Sequence, residues 1–568
     1  MMVSETMPRE AARGRELRGK LLALERLAAT QDWPRSKQQE ADFPLARKIA
    51  PHIDQAYEQL MLFGEHTWGL DVKSTIKRVF GEGFREARQS EPYTRLEESW
   101  RAKAAYVDRA EAAFERALEV LAESARQINP RATSGEARVG GLGVGGGYGD
   151  YFADAHQLRG GTPLAEVGQQ NAIENTYLRV EVDPASGGIV SLVDKRTGRE
   201  WVDKTSNEPF GGYRYDIYSA GDIAEFMRAY GLFFQDWFVQ DFGKAGYPED
   251  STHITAYARD FEVKKSRLGD VQTLCLSGGK VTTSDSGYVA LPEQVVSIRL
   301  SLADDSPYLD IEYNIEGREA TPLAESTVVP FPLNLPKASF RLGQVGSVID
   351  PARDIAAGAN RNLWCADWID ASDDRVGMAV MPVDMPLVSV GNTGIYRFEP
   401  ERVPTESVIY AHLWNTQWGT NFPQWLEGDF SFRIRLVPHI GDWRHVNVWL
   451  YKPGADNSFL STWGQTADAK QLPLAIEQDM QVLAVRPKHD GQGMIVRLWD
   501  RLGIHRLAKM KIGGPIAKVW RCDLMERPIE QMELHSETAE GIDVVFEIKP
   551  HAIETMLIEF TQEGGGAG

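Results

Sequence analysis

The chain has 568 residues, 42% hydrophobic and 25% charged, which is the composition of a globular protein too long for one ordinary core, so two to four domains are expected. A formal net charge of −19 excludes the concentrated basic surface that DNA or RNA requires and leaves neutral polar ligands open. Three cysteines, Cys275, Cys365 and Cys522, are odd in number and far apart, which excludes a disulfide framework and a thiolate metal site and suits a reducing compartment.

The opening MMVSETMPREAARGRELRGK is charged and holds no apolar segment of the kind a secretory signal needs. No run of about 18 apolar residues follows, so no membrane span is expected and the cytoplasm is the expected compartment. Residues 1–128 then read as helical. Leu17, Leu21, Leu24 and Ala28 recur every three or four positions, on one helix face. Pro51 is expected to open a second helix, with Ile53, Tyr57, Leu60 and Met61 as its stripe and Gly64 as its stop. Asp71 is expected to cap a third, with Ile76, Val79 and Phe80 inside it. The longest is expected from about Pro92 to Ile128, with Leu96, Trp100, Val107, Phe114, Leu118 and Leu121 on one side. Short connections between such stripes predict a helical bundle.

Asn129-Pro130 ends the helices, and residues 129–170 read as a glycine-rich linker. Gly141, Gly143 and Gly146 satisfy GxGxxG, but no strand precedes them and no amphipathic helix follows, so no dinucleotide site is expected. From Asn171 the period becomes two. Leu178, Val180 and Val182 alternate with polar neighbours, as do Val296, Ile298, Leu300 and Leu302, and Leu309, Ile311, Tyr313 and Ile315. One wet and one buried face suits antiparallel sheets. The predicted architecture is therefore α+β: the bundle, a large β-sandwich over 171–475 and a small terminal one over 476–562.

Chemistry-bearing residues are sparse. His52 and Asp54 form an HxD pair, but two residues apart on a helix they point to different sides. His66, in Glu65-His66-Thr67-Trp68-Gly69, stands at a helix end and is a usable metal ligand, or a capping or core histidine. In His412-Leu413-Trp414-Asn415-Thr416-Gln417-Trp418-Gly419-Thr420-Asn421, the rings of Trp414 and Trp418 could stack on sugar rings while Asn415 and Asn421 bind hydroxyls. The other reading of this stretch has the tryptophans plugging a sandwich end and the asparagines making turns.

The segments LRGKLLALERLAA, YEQLMLFGEHTWG, IENTYLRVEVDPASGGIVSLVDKRTGREW, VVPFPLNLP, GSVIDPARD, WNTQWGTNF, MIVRLWDRLG and VWRCDLMER occur in the order in which glycoside hydrolase family 38, the α-mannosidases, carries similar ones. The chain resembles the middle and C-terminal regions of a bacterial branch of that family. The resemblance implies a helical bundle followed by galactose-mutarotase-like β-sandwiches, a carbohydrate ligand, and zinc as cofactor of the full enzyme. It also implies a separate α/β catalytic domain, which in the family supplies an HxD zinc pair and the aspartate nucleophile of a retaining mechanism. Nothing in this sequence matches that domain, so no catalytic residue is assigned and the chain is expected to be inactive by itself. His66 is the nearest counterpart of the family's remaining zinc-ligand histidine, although Thr67 replaces the usual aspartate and the spacing to Gly69 is shorter. The alternative is a non-catalytic carbohydrate-binding or structural β-sandwich protein.

Overall fold

A computed structural model describes residues 6–34, 36–39, 42–128, 171–231, 241–283, 291–344, 347–356, 358–453, 474–477, 480–489, 493–538 and 541–561. The expected linker and its GxGxxG pattern lie outside them. The helices are α1 (Pro8–Gln31), α2 (Pro44–Gly64), the single turns α3 (Val72–Thr75) and α4 (Phe84–Ala87), α5 (Glu91–Ile128) and α6 (Ala220–Tyr230). None of them is long and apolar enough to cross a membrane.

Several helix expectations are corrected. Pro51 lies inside α2, which begins at Pro44. Pro44 takes the first helical position, where a missing N–H costs nothing. Asp71 does cap α3, its side chain accepting from Ser74 N at 3.2 Å, but the helix ends after one turn and Val79 and Phe80 lie beyond it. Met61, expected in the α2 stripe, is 75% exposed. The α6 helix is absent from the sequence expectation, although Ser219 and Asp222 form a reciprocal capping box at its start.

The chain divides into two compact units, Met1–Arg13 with Phe63–Ala105 and Gly160–Lys452, and Gly14–Leu62 with Tyr106–Arg159 and Pro453–Gly568. This cuts across the expected division into a bundle of residues 1–128 and two sandwiches. The reason lies in the second unit, where Leu17, Leu21, Leu24, Ala28, Ile53, Leu60 and Leu121 share one core with Val482, Val496, Met510, Val544 and Ile558. Met61 apart, these helical stripes are buried as their period predicts, but in a core shared with strands. Trp33 closes this core, its indole N–H donating to Gly513 O at 2.8 Å while its ring meets Phe560 edge-on. The strands form a four-stranded and a five-stranded antiparallel sheet.

In the first unit a four-stranded sheet, Ala172–Glu174 to Arg199–Glu200, and a fifteen-stranded antiparallel sheet supply one apolar core. Leu178, Val180, Val182, Ile298, Leu300, Ile311 and Tyr313 are all buried there, as alternation predicts. Each such aliphatic side chain contributes roughly 1.5–3 kcal/mol relative to exposure. At the hairpin Asp183–Gly188 the chain turns through Gly187, whose φ of +67° and close approach to the Phe261 ring leave no room for a Cβ. A buried ion pair, Arg318–Glu325, sits in this unit, with Tyr215 OH donating to Glu325 at 2.6 Å.

Candidate functional site

The middle of the large sheet runs in the order Ile254–Arg259, Arg214–Ile217, Glu325–Pro332, Val408–Asn415, Leu387–Val390. Arg214 lies opposite Tyr257 and Val328, and Asp216 opposite Thr255 and Ser326. Tyr410 lies opposite Pro330 and Ser389, and His412 opposite Val328. Paired residues share a sheet face. Tyr213, Tyr215 and Ile217 enter the apolar core, so Arg214, Asp216, Thr255, Tyr257, Tyr410 and His412 gather on the other face.

All of these except His412 join Glu208, His253 and Asp222 in a continuous polar chain. Arg214 donates to both oxygens of Asp216, at 2.9 Å from Nε and from Nη2, and its Nη1 pairs with Glu208. Glu208 also accepts from Tyr257 OH at 3.2 Å and Tyr410 OH at 3.3 Å. Asp216 accepts from Thr255 Oγ1 at 2.7 Å and lies 3.4 Å from His253 Nε2, whose Nδ1 lies 3.1 Å from Asp222 Oδ2. Asp222 is the capping-box carboxylate of α6, so His253 ties that helix to the sheet.

The hydrogen bonds to Asp216 and Asp222 outweigh the burial of His253 and raise its pKa to about 9, so the ring is an imidazolium at neutral pH and donates through both nitrogens. Burial works to raise Asp216, but His253, Arg214 and Thr255 outweigh it and hold the carboxyl below its ordinary value. The same opposition, with His253 and Ser219 as donors, brings Asp222 to about 2. Burial and then the Glu208 charge push the Tyr257 phenol up to about 12. His412 is the contrasting histidine. Complete burial lowers it to about 3, so it is neutral, with Nε2 3.1 Å from Ser389 Oγ and no hydrogen-bond partner for Nδ1 among the described residues.

Glu208 and Tyr257 also line an open cleft of about 560 Å³. Its other polar walls come from Glu181, Ser186, Ser191, Asp203, Lys204, Ser206, Asn207 and Arg259, and Ile189, Val190, Val202, Pro209 and Phe210 supply apolar surface. A concave site of that size with a few convergent polar groups is what small-molecule binding needs. Sequence reasoning missed this constellation. Its signal was weak: Arg214 and Asp216 alternate with Tyr213 and Tyr215 as any wet strand face would, and Glu208, His253 and Tyr410 are far apart in the chain.

The four residues expected to bind sugar do not converge. Trp414 is a correction: it is fully buried, packed by Tyr213, Phe430 and Phe432 and overlaid by the Arg318 guanidinium, with no open ring face. A β-bulge is the cause, since His412 pairs with Val328 but Trp414 with the adjacent Thr327, which turns Trp414 into the core. Asn415 is buried too, its Oδ1 accepting from Gln417 N at 3.2 Å in a local turn. Trp418 is half-buried against Phe226, Tyr230 and Phe242. Asn421, also half-buried, offers its carbonyl to Trp100 Nε1 at 3.1 Å.

His66 stands apart from all of these, its side chain 90% exposed and its Nδ1 2.6 Å from Glu65 Oε1. The loop beneath it is fixed. Lys103 Nζ donates to the carbonyls of Glu65 at 2.8 Å and Thr67 at 3.1 Å, Trp68 is buried between Phe63 and Phe422, and Gly69 lies against Trp100 too closely for any side chain. Catalytic zinc takes about three protein ligands. Glu65 and His66 do not fit that requirement alone, and no group of three His, Cys, Asp or Glu residues suited to a metal occurs among the described residues. His52 and Asp54 accordingly belong to no such group.

A model of the glycosyl hydrolases family 38 C-terminal domain matches residues 173–384, which hold Glu208, Arg214, Asp216, Asp222, His253 and Tyr257. A model of the family 38 C-terminal beta sandwich domain matches residues 479–556. Among solved structures, a protein in glycosyl hydrolase family 38 from Enterococcus faecalis is similar over 99% of this chain and 71% of its own, with a TM-score of 0.56 at 11% identity. An alpha-mannosidase from Enterococcus faecalis V583 is similar over 97% and 68%, with a TM-score of 0.53 at 12% identity. A galactose mutarotase-like protein from Lactobacillus casei is similar over 47% of this chain and 99% of its own, with a TM-score of 0.26 at 14% identity. No curated protein matches the chain in sequence.

Proposed function

The chain belongs to glycosyl hydrolase family 38 through its C-terminal domains, and from that premise we propose that it is the C-terminal part of a retaining, zinc-dependent α-mannosidase-type glycosidase. In this reading the nucleophile and the other metal ligands come from an α/β domain outside these residues, and His66 contributes one ligand. The observation that carries the reading is the His66 loop. A solvent-exposed imidazole on a loop locked by Trp68 and Lys103 is pre-positioned to be offered outward, and a rigid ligand loses little freedom on binding. The residues present do not complete a zinc site, so no step through the metal is drawn. Cys275, Cys365 and Cys522, none of them disulfide-bonded, support a reducing compartment, the cytoplasm.

The test is hydrolysis of an aryl α-mannoside by the chain alone and by the chain joined, in trans or by fusion, to a family 38 α/β domain. The reading expects no turnover from the chain alone and turnover with the domain supplied. Turnover that stays with the chain alone through repurification would contradict it. A second reading, carbohydrate binding without hydrolysis, is favoured by the Glu208 cleft.

A further inference from the structure

We infer that the cleft at Glu208 is a binding site for a short neutral saccharide. This deepens the proposed function and rests on it for the sugars to be tried first; the cleft itself is argued from its own chemistry.

Glu208 lies at the junction of the cleft and the buried polar chain, with 15% of its side chain exposed. Three donors reach its carboxylate, namely Arg214 Nη1 and Tyr410 OH at Oε1, and Tyr257 OH at Oε2. A carboxylate accepts about four hydrogen bonds, so Oε2 keeps capacity for a further donor. Glu208 lines the cleft, so a ligand bound there can supply that donor. The Tyr257 phenol gives its one O–H to Glu208 and keeps lone pairs that accept, so a ligand hydroxyl can donate to either group of this pair. Ser206 Oγ accepts from Glu208 N at 3.1 Å and retains its own hydroxyl proton. Asn207 is exposed on the rim, with an amide that supplies a donor and an acceptor together.

Charge decides the class of ligand. Glu181, Asp203 and Glu208 face the cleft against Lys204 and Arg259, so the lining is slightly acidic and repels phosphates and sugar acids. A fixed acceptor, hydroxyls and amides beside the apolar surface of Val190 and Pro209 match a molecule with many hydroxyls and apolar C–H faces. A neutral sugar meets that description. The orienting work falls to Arg214, which holds Glu208 and Asp216 together and so sets the direction of the free lone pair.

The experiment is a titration of the full chain with methyl α-mannoside, methyl α-glucoside and α-mannobiose, followed by ligand-observed saturation-transfer NMR and calorimetry, without any catalytic domain. Saturation transfer to at least one of these sugars is expected. Glu208→Gln removes the charge of the acceptor and should weaken binding roughly tenfold or more. Tyr257→Phe and Asn207→Ala should weaken it severalfold, and Asn207→Ala, an exposed change, keeps the test valid if Glu208→Gln disturbs the fold. No binding to any of the three sugars, binding unchanged in all three variants, or tighter binding of glucuronate or inorganic phosphate would each overturn the inference. Because binding is read without turnover, its failure is distinguishable from a failure of the hydrolase reading.

Discussion

Raising the pH should loosen the attachment of α6 to the large sheet. His253 bridges Asp216 on the sheet and Asp222 at the helix start, and those two hydrogen bonds raise its pKa from 6.5 to about 9. The folded value lies above the unfolded one, so this stabilisation is fully present below about pH 6.5 and is lost as the pH rises through about 9. The unscreened shift corresponds to ~3 kcal/mol. With 38% of the ring exposed, solvent screening reduces this to about 1–2 kcal/mol. Urea unfolding of the native chain and of His253→Gln, between about pH 6.5 and 10, isolates the effect. Lys244, which burial lowers to about 7, titrates in the same window with the opposite sign, since its buried ammonium is relieved as the pH rises. That contribution is common to both proteins and cancels in the difference. The native chain should lose about 1–2 kcal/mol more than the variant across the window. Parallel pH dependences in the two proteins would refute the bridge.

Trp414→Ala should destabilise the first unit by ~3–5 kcal/mol in chemical denaturation, because it empties a fully buried site; a near-neutral change would restore Trp414 as a surface platform. Arg318→Met strands the buried Glu325 carboxylate and should cost ~3–5 kcal/mol, whereas adding Glu325→Leu should recover much of it, as compared by thermal melting. Gly187→Ala forces a Cβ toward Phe261 at a positive φ and should lower the melting temperature, while Gly198→Ala, also at positive φ but in open space, should lower it less.

Much of the fold was legible in residue periodicity. Leu178, Val180 and Val182 are buried on one strand face and Leu17, Leu21 and Leu24 on one helix face, because period alone determines which side of an element is apolar. What the helical stripe packs against is a long-range fact, and Leu21 and Val482 entering one core cannot be read from either segment. The bulge beside Val328 is equally invisible in WNTQWGTNF, yet it decides that Trp414 faces the core and His412 the polar face. The place of His66 just past a helix end was legible because that motif is local, the helix stopping at Gly64. The Glu208 cleft was not, since Glu208, Tyr257 and Tyr410 meet only through strand register across the large sheet. The α6 helix could have been found from Ser219 and Asp222.

The most direct test of the central claim is the zinc content of the purified chain assembled with a family 38 α/β domain, native and His66→Ala side by side, with circular dichroism as the control for folding. The account predicts about one zinc per native assembly and its loss in the variant, with the fold intact. Equal zinc in the two, with equal aryl α-mannoside hydrolysis, would contradict the role of His66 and leave it as an exposed loop residue.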